Sequence, residues 1–290
     1  MNVHACQPFV EKTMTDISPM SQGVKPHSAS ESLSYGAEVG KFHSRLLRMP
    51  LAVEESREYW EHNAPKLSKK DKEIVAFEQR WFGNKSLSRV RTILRNFSDR
   101  FDAYPIALEV LQQWCPAELA TRQNICHWHL QLSDPIYRQF SGVFLEQRRT
   151  NGQNSIDRDV VMRWIEQQLQ KDWSSATTIR MASALITSVT NAGLCSDKTG
   201  TRQLIYPQVT DEALTYWLYF LRHLSFAGSL WSNPYFASVG LSGRLLEQRL
   251  NRLSDFSFQS IGDVYELDWK YGDLKAWATA SLGLNLEEKA

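Results

Sequence analysis

The stretch from Ser155 to Pro207 constrains the fold more than any other part of the chain, because its punctuation spells out a helix, a tight turn, a second helix and a hairpin. Ile156 to Gln170 reads as one helix, with Val161, Trp164, Ile165 and Leu169 as its apolar stripe. Lys171-Asp172-Trp173-Ser174 makes a tight polar turn. Ser175 to Asn191 reads as the second helix, with Ile179, Ala182, Ile186 and Val189 facing inward. Gly193 stops that helix, and Leu194-Cys195 and Thr201 to Tyr206 form two short strands around Lys198-Thr199-Gly200. This is the layout of a winged helix-turn-helix, whose second helix docks into a DNA major groove. Small hydroxyls and free N–H groups at a helix start suit phosphate oxygens, so Ser175, Thr177, Thr178 and Arg180 are the expected contacts of that helix, with Lys198 and Arg202 on the wing. Alone, the segment suggests a transcription factor reading a defined site; a winged helix used for protein contacts is the alternative.

The net charge of +1 excludes a uniformly basic nucleic-acid coat, but the charge is uneven. From Lys66 to Arg100 ten Lys or Arg stand against four acids, a local charge of +6; from Gln208 to Ala290 seven stand against ten, giving −3. The basic block has its own punctuation. Ser68 caps a helix to Phe82, Gly83-Asn84-Lys85 turns the chain, and Ser86 caps a helix to about Phe101. In this second helix Val90, Leu94, Phe97 and Phe101 share one face, while Arg89, Arg91 and Arg95 spread over the others. Ser68 to Phe101 is therefore a second helix-turn-helix, and Lys85, Arg89, Arg91 and Arg95 are its expected phosphate contacts, binding with strong salt dependence and weak sequence preference. A solvated face, or pairing with the acidic C-terminal third, is the alternative.

The remaining chain divides around these modules. Residues 1–34 read as a tail rich in Ser, Thr and Pro; residues 35–150 as a helical domain holding the basic module; 151–209 as the winged module; and 210–290 as a helical extension with a small hairpin. Helices are expected over Tyr35 to Arg48, Ala52 to His62, Pro105 to Trp114, Leu119 to Leu132, Asp134 (as cap) to Arg149, Asp211 (as cap) to Leu224, Leu241 to Leu253 and Leu274 to Ser281, with a hairpin within Phe256 to Tyr271. His223 to Gly243 lacks charge, but its Gly, Pro, Asn and Ser make a poor membrane span, so it reads as core, as does Ala213 to Leu221. The N-terminus carries acids and no apolar export region, and the four cysteines are scattered, so a reduced, cytoplasmic protein is expected.

Enzymatic motifs are weak. His127 and His129 in Cys126-His127-Trp128-His129 point about 200° apart on a helix, so they cannot share one ion there and read as core. Asp268-Trp269-Lys270, with Asp255 and Asp263, mimics a metal-dependent nuclease strand, but no supporting mixed sheet is visible. Gly83-Asn84-Lys85-Ser86 lacks the glycine spacing of a phosphate-binding loop.

Three segments together resemble the BrxA family of the BREX phage-exclusion systems. They are Lys85-Ser86 with Arg89 and Arg91; the His127-to-Arg149 region with Asp134 and Glu146-Gln147-Arg148-Arg149; and Trp173-Ser174-Ser175-Ala176-Thr177, followed by a helix and Ala192-Gly193-Leu194. The resemblance spans about Tyr35 to Pro207. It implies an all-helical, non-enzymatic DNA-binding component with two helix-turn-helix units, acting beside a methyltransferase, an alkaline-phosphatase-like protein and an ATPase. The N-terminal tail and everything after Pro207 depart from it.

The expectation is thus a mainly α globular protein with two helix-turn-helix units, the second winged. It would bind duplex DNA within a defence complex, without a cofactor, a metal site or a membrane anchor.

Overall fold

A computed structural model describes residues 33–63, 67–168, 173–261 and 264–286. The proposed tail, Lys66, Leu169, the Lys171-Asp172 half of the turn and Asp263 fall outside the described residues, the tail except for Leu33 and Ser34. The protein is mainly helical with two small antiparallel sheets. From Leu33 onward the described residues form one compact unit.

Tyr35 to Ser44 is extended, not helical as expected. Gly36 adopts φ +100°, and the backbone bonds of this stretch go to other segments: the Tyr35 N–H donates to His223 O, Glu38 N–H to Ser225 O and Val39 N–H to Leu132 O. A single 3-10 turn, Arg45–Leu47, follows. Then come α1 (Val53–His62), α2 (Lys69–Glu78) and α3 (Leu87–Phe97). Both caps read from the sequence are formed: Ser68 Oγ accepts from the Asp71 N–H and Ser86 Oγ from the Arg89 N–H. The turn between them uses left-handed Arg80 and Gly83. A π-turn, Ser98–Asp102, carries α3 on to Phe101, whose ring joins Tyr59, Trp60 and Phe97 in a buried aromatic cluster.

Next are α4 (Pro105–Trp114) and α5 (Leu119–Ser133), then α6 (Pro135–Gln139), a π-turn (Phe140–Phe144) and α7 (Leu145–Thr150). Asp134 caps this last run by accepting from the Tyr137 N–H, with Pro135 at its first position. The winged segment supplies β1 (Ser155–Ile156), α8 (Arg158–Gln168), α9 (Ser175–Asn191) and β2 (Arg202–Gln203).

Beyond it lie α10 (Asp211–Leu221), α11 (Pro234–Ser238), α12 (Arg244–Leu250), the hairpin β3 (Phe256–Ile261) and β4 (Val264–Trp269), and α13 (Leu274–Leu282). Thr210, not Asp211, caps α10, its hydroxyl accepting from the Ala213 N–H. The helix expected over Leu241 to Leu253 begins only at Arg244, after left-handed Gly240 and Gly243. Residues 225–232 form a largely exposed loop instead of core.

The segment read as an extension holds the centre of the molecule. Ala213 to Leu221 is buried on every side. Trp217 stacks on Trp128 of α5 at 5.4 Å, and Tyr216 and Phe220 close on His129. A helix apolar all round needs neighbours on all faces, and α5, α13 and the aromatic residues of α11 supply them. Among the described residues no helix is long and apolar enough to cross a membrane.

Candidate nucleic-acid interface

The winged module is a three-helix core with a small sheet on one side. Phe140 and Phe144, from the α6–α7 run, close on Trp164 of α8 at 5.0 and 5.4 Å, and α8 packs on α9. Helix α8 starts two residues later than the sequence pattern implies, because Asp157 Oδ1 takes the Val160 N–H as a cap and Ser155–Ile156 joins a sheet. Ile156 pairs with Arg202 and Ser155 with Gln203, while Leu204 bridges Cys195. Residues 202–205 therefore lie between 154–156 and 194–196, with residues 197–201 as the wing tip. The first of these three strands was missed by the sequence reading, since two residues are too few for alternation to show. Arg148 and Arg149 stitch this sheet to α7: Arg148 Nη2 donates to Ser155 O at 2.7 Å and Arg149 Nη2 to Ile205 O at 2.8 Å. The Arg149 guanidinium also lies 4.2 Å from the centre of the Tyr206 ring. Both arginines are thus spent inside the module.

Helix α9 has the bounds read from the sequence and buries Ala182, Ile186 and Val189 as expected, but its buried face is displaced toward Thr178 and Met181. Its buried face is Thr178, Met181, Ala182, Leu185, Ile186, Ser188 and Val189. Ile179, expected inside, is 39% exposed, and Thr178, expected on the open face, is 3% exposed. The Thr178 hydroxyl donates back to Ser174 O at 3.4 Å, a bond that sets it against its own helix and, contrary to expectation, off the open face. Ser175 and Arg180 are exposed and Thr177 is half-buried, with Ser174 Oγ accepting the Thr177 N–H as cap. The open ridge is therefore Ala176, Ile179, Arg180, Ser183 and Thr187.

Between this ridge, the start of α8 and the wing lies an open groove of about 500 Å³, lined by Arg158, Ser183, Thr187, Thr201 and Arg202 together with Asp157 and Asp159. Lys198 projects from the wing tip, and Arg202 Nη1 donates to Gly200 O at 3.1 Å, bracing the wing. Arg158, Ser183 and Thr201 are groove residues that the sequence reading passed over, because only the pairing of residues 155–156 with 202–203 brings them together.

In the basic module α2 lies outside α3, which buries Val90, Ile93, Leu94 and Phe97 and leaves Arg89, Arg91 and Arg95 exposed. Of the module's four expected contacts, Lys85 lies 3.5 Å from Glu55, Arg91 lies 2.9 Å from Glu73, and Arg89 Nη1 donates to Arg48 O at 2.8 Å. Arg95 is exposed and has no partner among the described residues. The acids that quench part of this charge come from α1 and α2, not from the C-terminal third.

The two modules meet. The segment running from the 3-10 turn to Leu51 is held by α3 through the Arg89 bond and by α9 through Leu51, whose N–H donates to Ser188 Oγ and whose carbonyl accepts from Asn191 Nδ2, each at 3.0 Å. Arg89 and Asn191 consequently line one groove.

The other polar clusters belong to the interior. Ser238 Oγ donates to Tyr235 O, so it accepts from His127 Nε2, leaving His127 Nδ1 to accept from the Tyr137 hydroxyl. His129 Nε2 meets the Tyr216 hydroxyl at 2.7 Å. Burial pulls both histidines' pKa down to about 3. Burial pushes the Cys126 thiol up to about 12, far from a reactive thiolate. Asp255 accepts from Trp277 Nε1 and faces Lys270 at 3.8 Å, whereas Asp268 is exposed on a two-stranded ribbon.

No family model and no curated protein matches this sequence.

Proposed function

We propose that this protein is a non-enzymatic, duplex-DNA-binding component of a multi-protein phage-defence assembly of the BREX type. The observation that carries DNA binding is the joining of two modules: the open N-terminal half of α9 with its wing, and the basic exposed face of α3, held by one short segment. In this reading α9 sits in a groove with Ser175, Thr177 and Arg180 at its leading end, Lys198 and Arg202 follow the flanking backbone, and Lys85, Arg89, Arg91 and Arg95 add phosphate contacts. The defence context, with a methyltransferase, a phosphatase-like protein and an ATPase as partners, rests on the sequence resemblance. A gel shift at low salt tests the DNA reading. The wild type is expected to retard a random duplex, and Arg89, Arg91 and Arg95 replaced together by Glu to abolish the shift with the fold intact by circular dichroism. An unchanged shift removes the basic module from the proposal.

A second reading has one observation of its own. Ile179 stands exposed on the ridge of α9, where an apolar side chain suits a protein surface better than a phosphate. If the winged helix is a scaffold contact, Ile179→Asp releases a co-purifying subunit while wild type and variant alike leave DNA unshifted.

A further inference from the structure

We propose that the segment from His43 to Leu51 is a third DNA-contact element, and that its Arg48 meets the phosphates between the two recognition helices on a single duplex. The inference rests on the DNA-binding reading above and adds to it a residue and a geometry.

The segment alternates anchors and cations. Leu46, Met49 and Leu51 are each 1% exposed, while Arg45 and Arg48 stand outside. The anchors are reinforced by polar bonds: His43 Nε2 to Ser133 O at 2.9 Å, the Arg89 guanidinium on Arg48 O, and the Ser188 and Asn191 side chains on Leu51. Its backbone is therefore fixed before any ligand arrives, and ordering it on binding costs little entropy. Arg45 is paired with Asp99 at 3.1 Å, which leaves Arg48 as the cation without an acidic partner among the described residues. The neighbouring acids are occupied: Glu55 faces Lys85, and Glu54 accepts from Arg122 at 3.0 Å.

Chain geometry limits how far apart the two reading helices sit. Arg48 to Leu51 spans at most about 11 Å of chain. Asn191 back to Arg180 is about 16 Å of helix. Adding the reach of the side chains that make the joints, Arg89 and Arg180 are separated by no more than about 40 Å, well within two turns of B-DNA. A duplex of that length is long enough to engage both helices, and in this proposal its backbone meets Arg48 on the segment that joins them.

Fluorescence anisotropy on a labelled duplex of about two turns tests this, with the full chain as wild type, as Arg48→Ala and as Arg252→Ala, an exposed arginine after α12 serving as control. Arg48→Ala is expected to weaken binding several-fold and to flatten the log–log salt slope by about 0.9, the release of one phosphate's counterions. Arg252→Ala is expected to match the wild type, and all three proteins to melt together. Wild-type affinity and slope in Arg48→Ala overturn the inference while leaving the DNA reading in place. A wild type that binds no duplex overturns both.

Discussion

Replacing Gly142 by Ala tests how tightly the winged module is bolted to the C-terminal helices. A methyl carbon there would sit 2.5 Å from Pro234 O, 2.6 Å from Pro234 Cβ and 2.9 Å from Pro234 Cα. Ordinary carbon contacts lie at about 3.5 Å or more, so the two elements must part by roughly 1 Å. Two of the three atoms are backbone at the start of α11, so no rotamer change relieves the clash. Separation would strain the bridge that Gln131 Nε2 of α5 makes to both sides, to Ser141 Oγ at 2.9 Å and to Pro234 O at 3.4 Å. Overpacking of this kind costs about 1–3 kcal/mol. The gain in helix propensity from Gly to Ala returns up to about 1 kcal/mol. The net expectation is a loss of about 1–2 kcal/mol, read as a melting temperature lower by roughly 2–8 °C for a chain of this size. Calorimetry on wild type, Gly142→Ala and Gly40→Ala measures it; Gly40 has nothing within 4 Å of an added Cβ and is the control. A Gly142→Ala protein that melts at or above the wild-type temperature refutes the argument.

Two further outcomes follow from the displaced buried face of α9 and the buried histidines. Arg180→Ala should weaken DNA binding at unchanged melting temperature, whereas Thr178→Ala should lower the melting temperature and leave the affinity of the folded protein alone; an affinity loss in Thr178→Ala would return that hydroxyl to the interface. His127 and His129 stay neutral in the fold down to about pH 3, while in the unfolded chain they protonate near 6.5. The unfolded state therefore binds more protons across that window, and stability that is complete above it is lost as the pH falls. Each histidine is expected to remove about 1.4 kcal/mol on going one unit below 6.5. Urea melts at pH 7.5 and 5.5 measure this, and coincident midpoints would contradict it.

The legible parts of the fold were those with local causes. Ser68 and Ser86 cap helices because a hydroxyl three residues ahead of an unsatisfied N–H is enough, wherever the helix lies. Pro105 and Pro135 start helices, and left-handed Gly83, Gly152 and Gly193 end or turn segments, for equally local reasons. The hairpin of β3 and β4 was visible in its alternation. The candidate site was half legible. Its cations and the bounds of α9 were plain, but the displacement of that helix's buried face was not, since Thr178 and Ile179 are neighbours and the choice between them depends on what α8 and the sheet cover. Arg148 and Arg149 showed in the sequence only as the end of a helix; their role came from carbonyls at Ser155 and Ile205, 7 and 56 residues away, which take their guanidinium groups.

By itself, then, the sequence determined a mainly α chain, the helix-turn-helix spacing of two segments and the concentration of positive charge on the first. Tertiary structure decided what joins them. Tyr35 to Ser44 gave up a helix because His223, Ser225 and Leu132 offered its backbone better-placed partners. The segment up to Leu51 became a bridge because α3 and α9 each grip it from one side. Residues 211–221 became the centre instead of an appendage because a helix apolar on every face can be stable only where neighbours surround it.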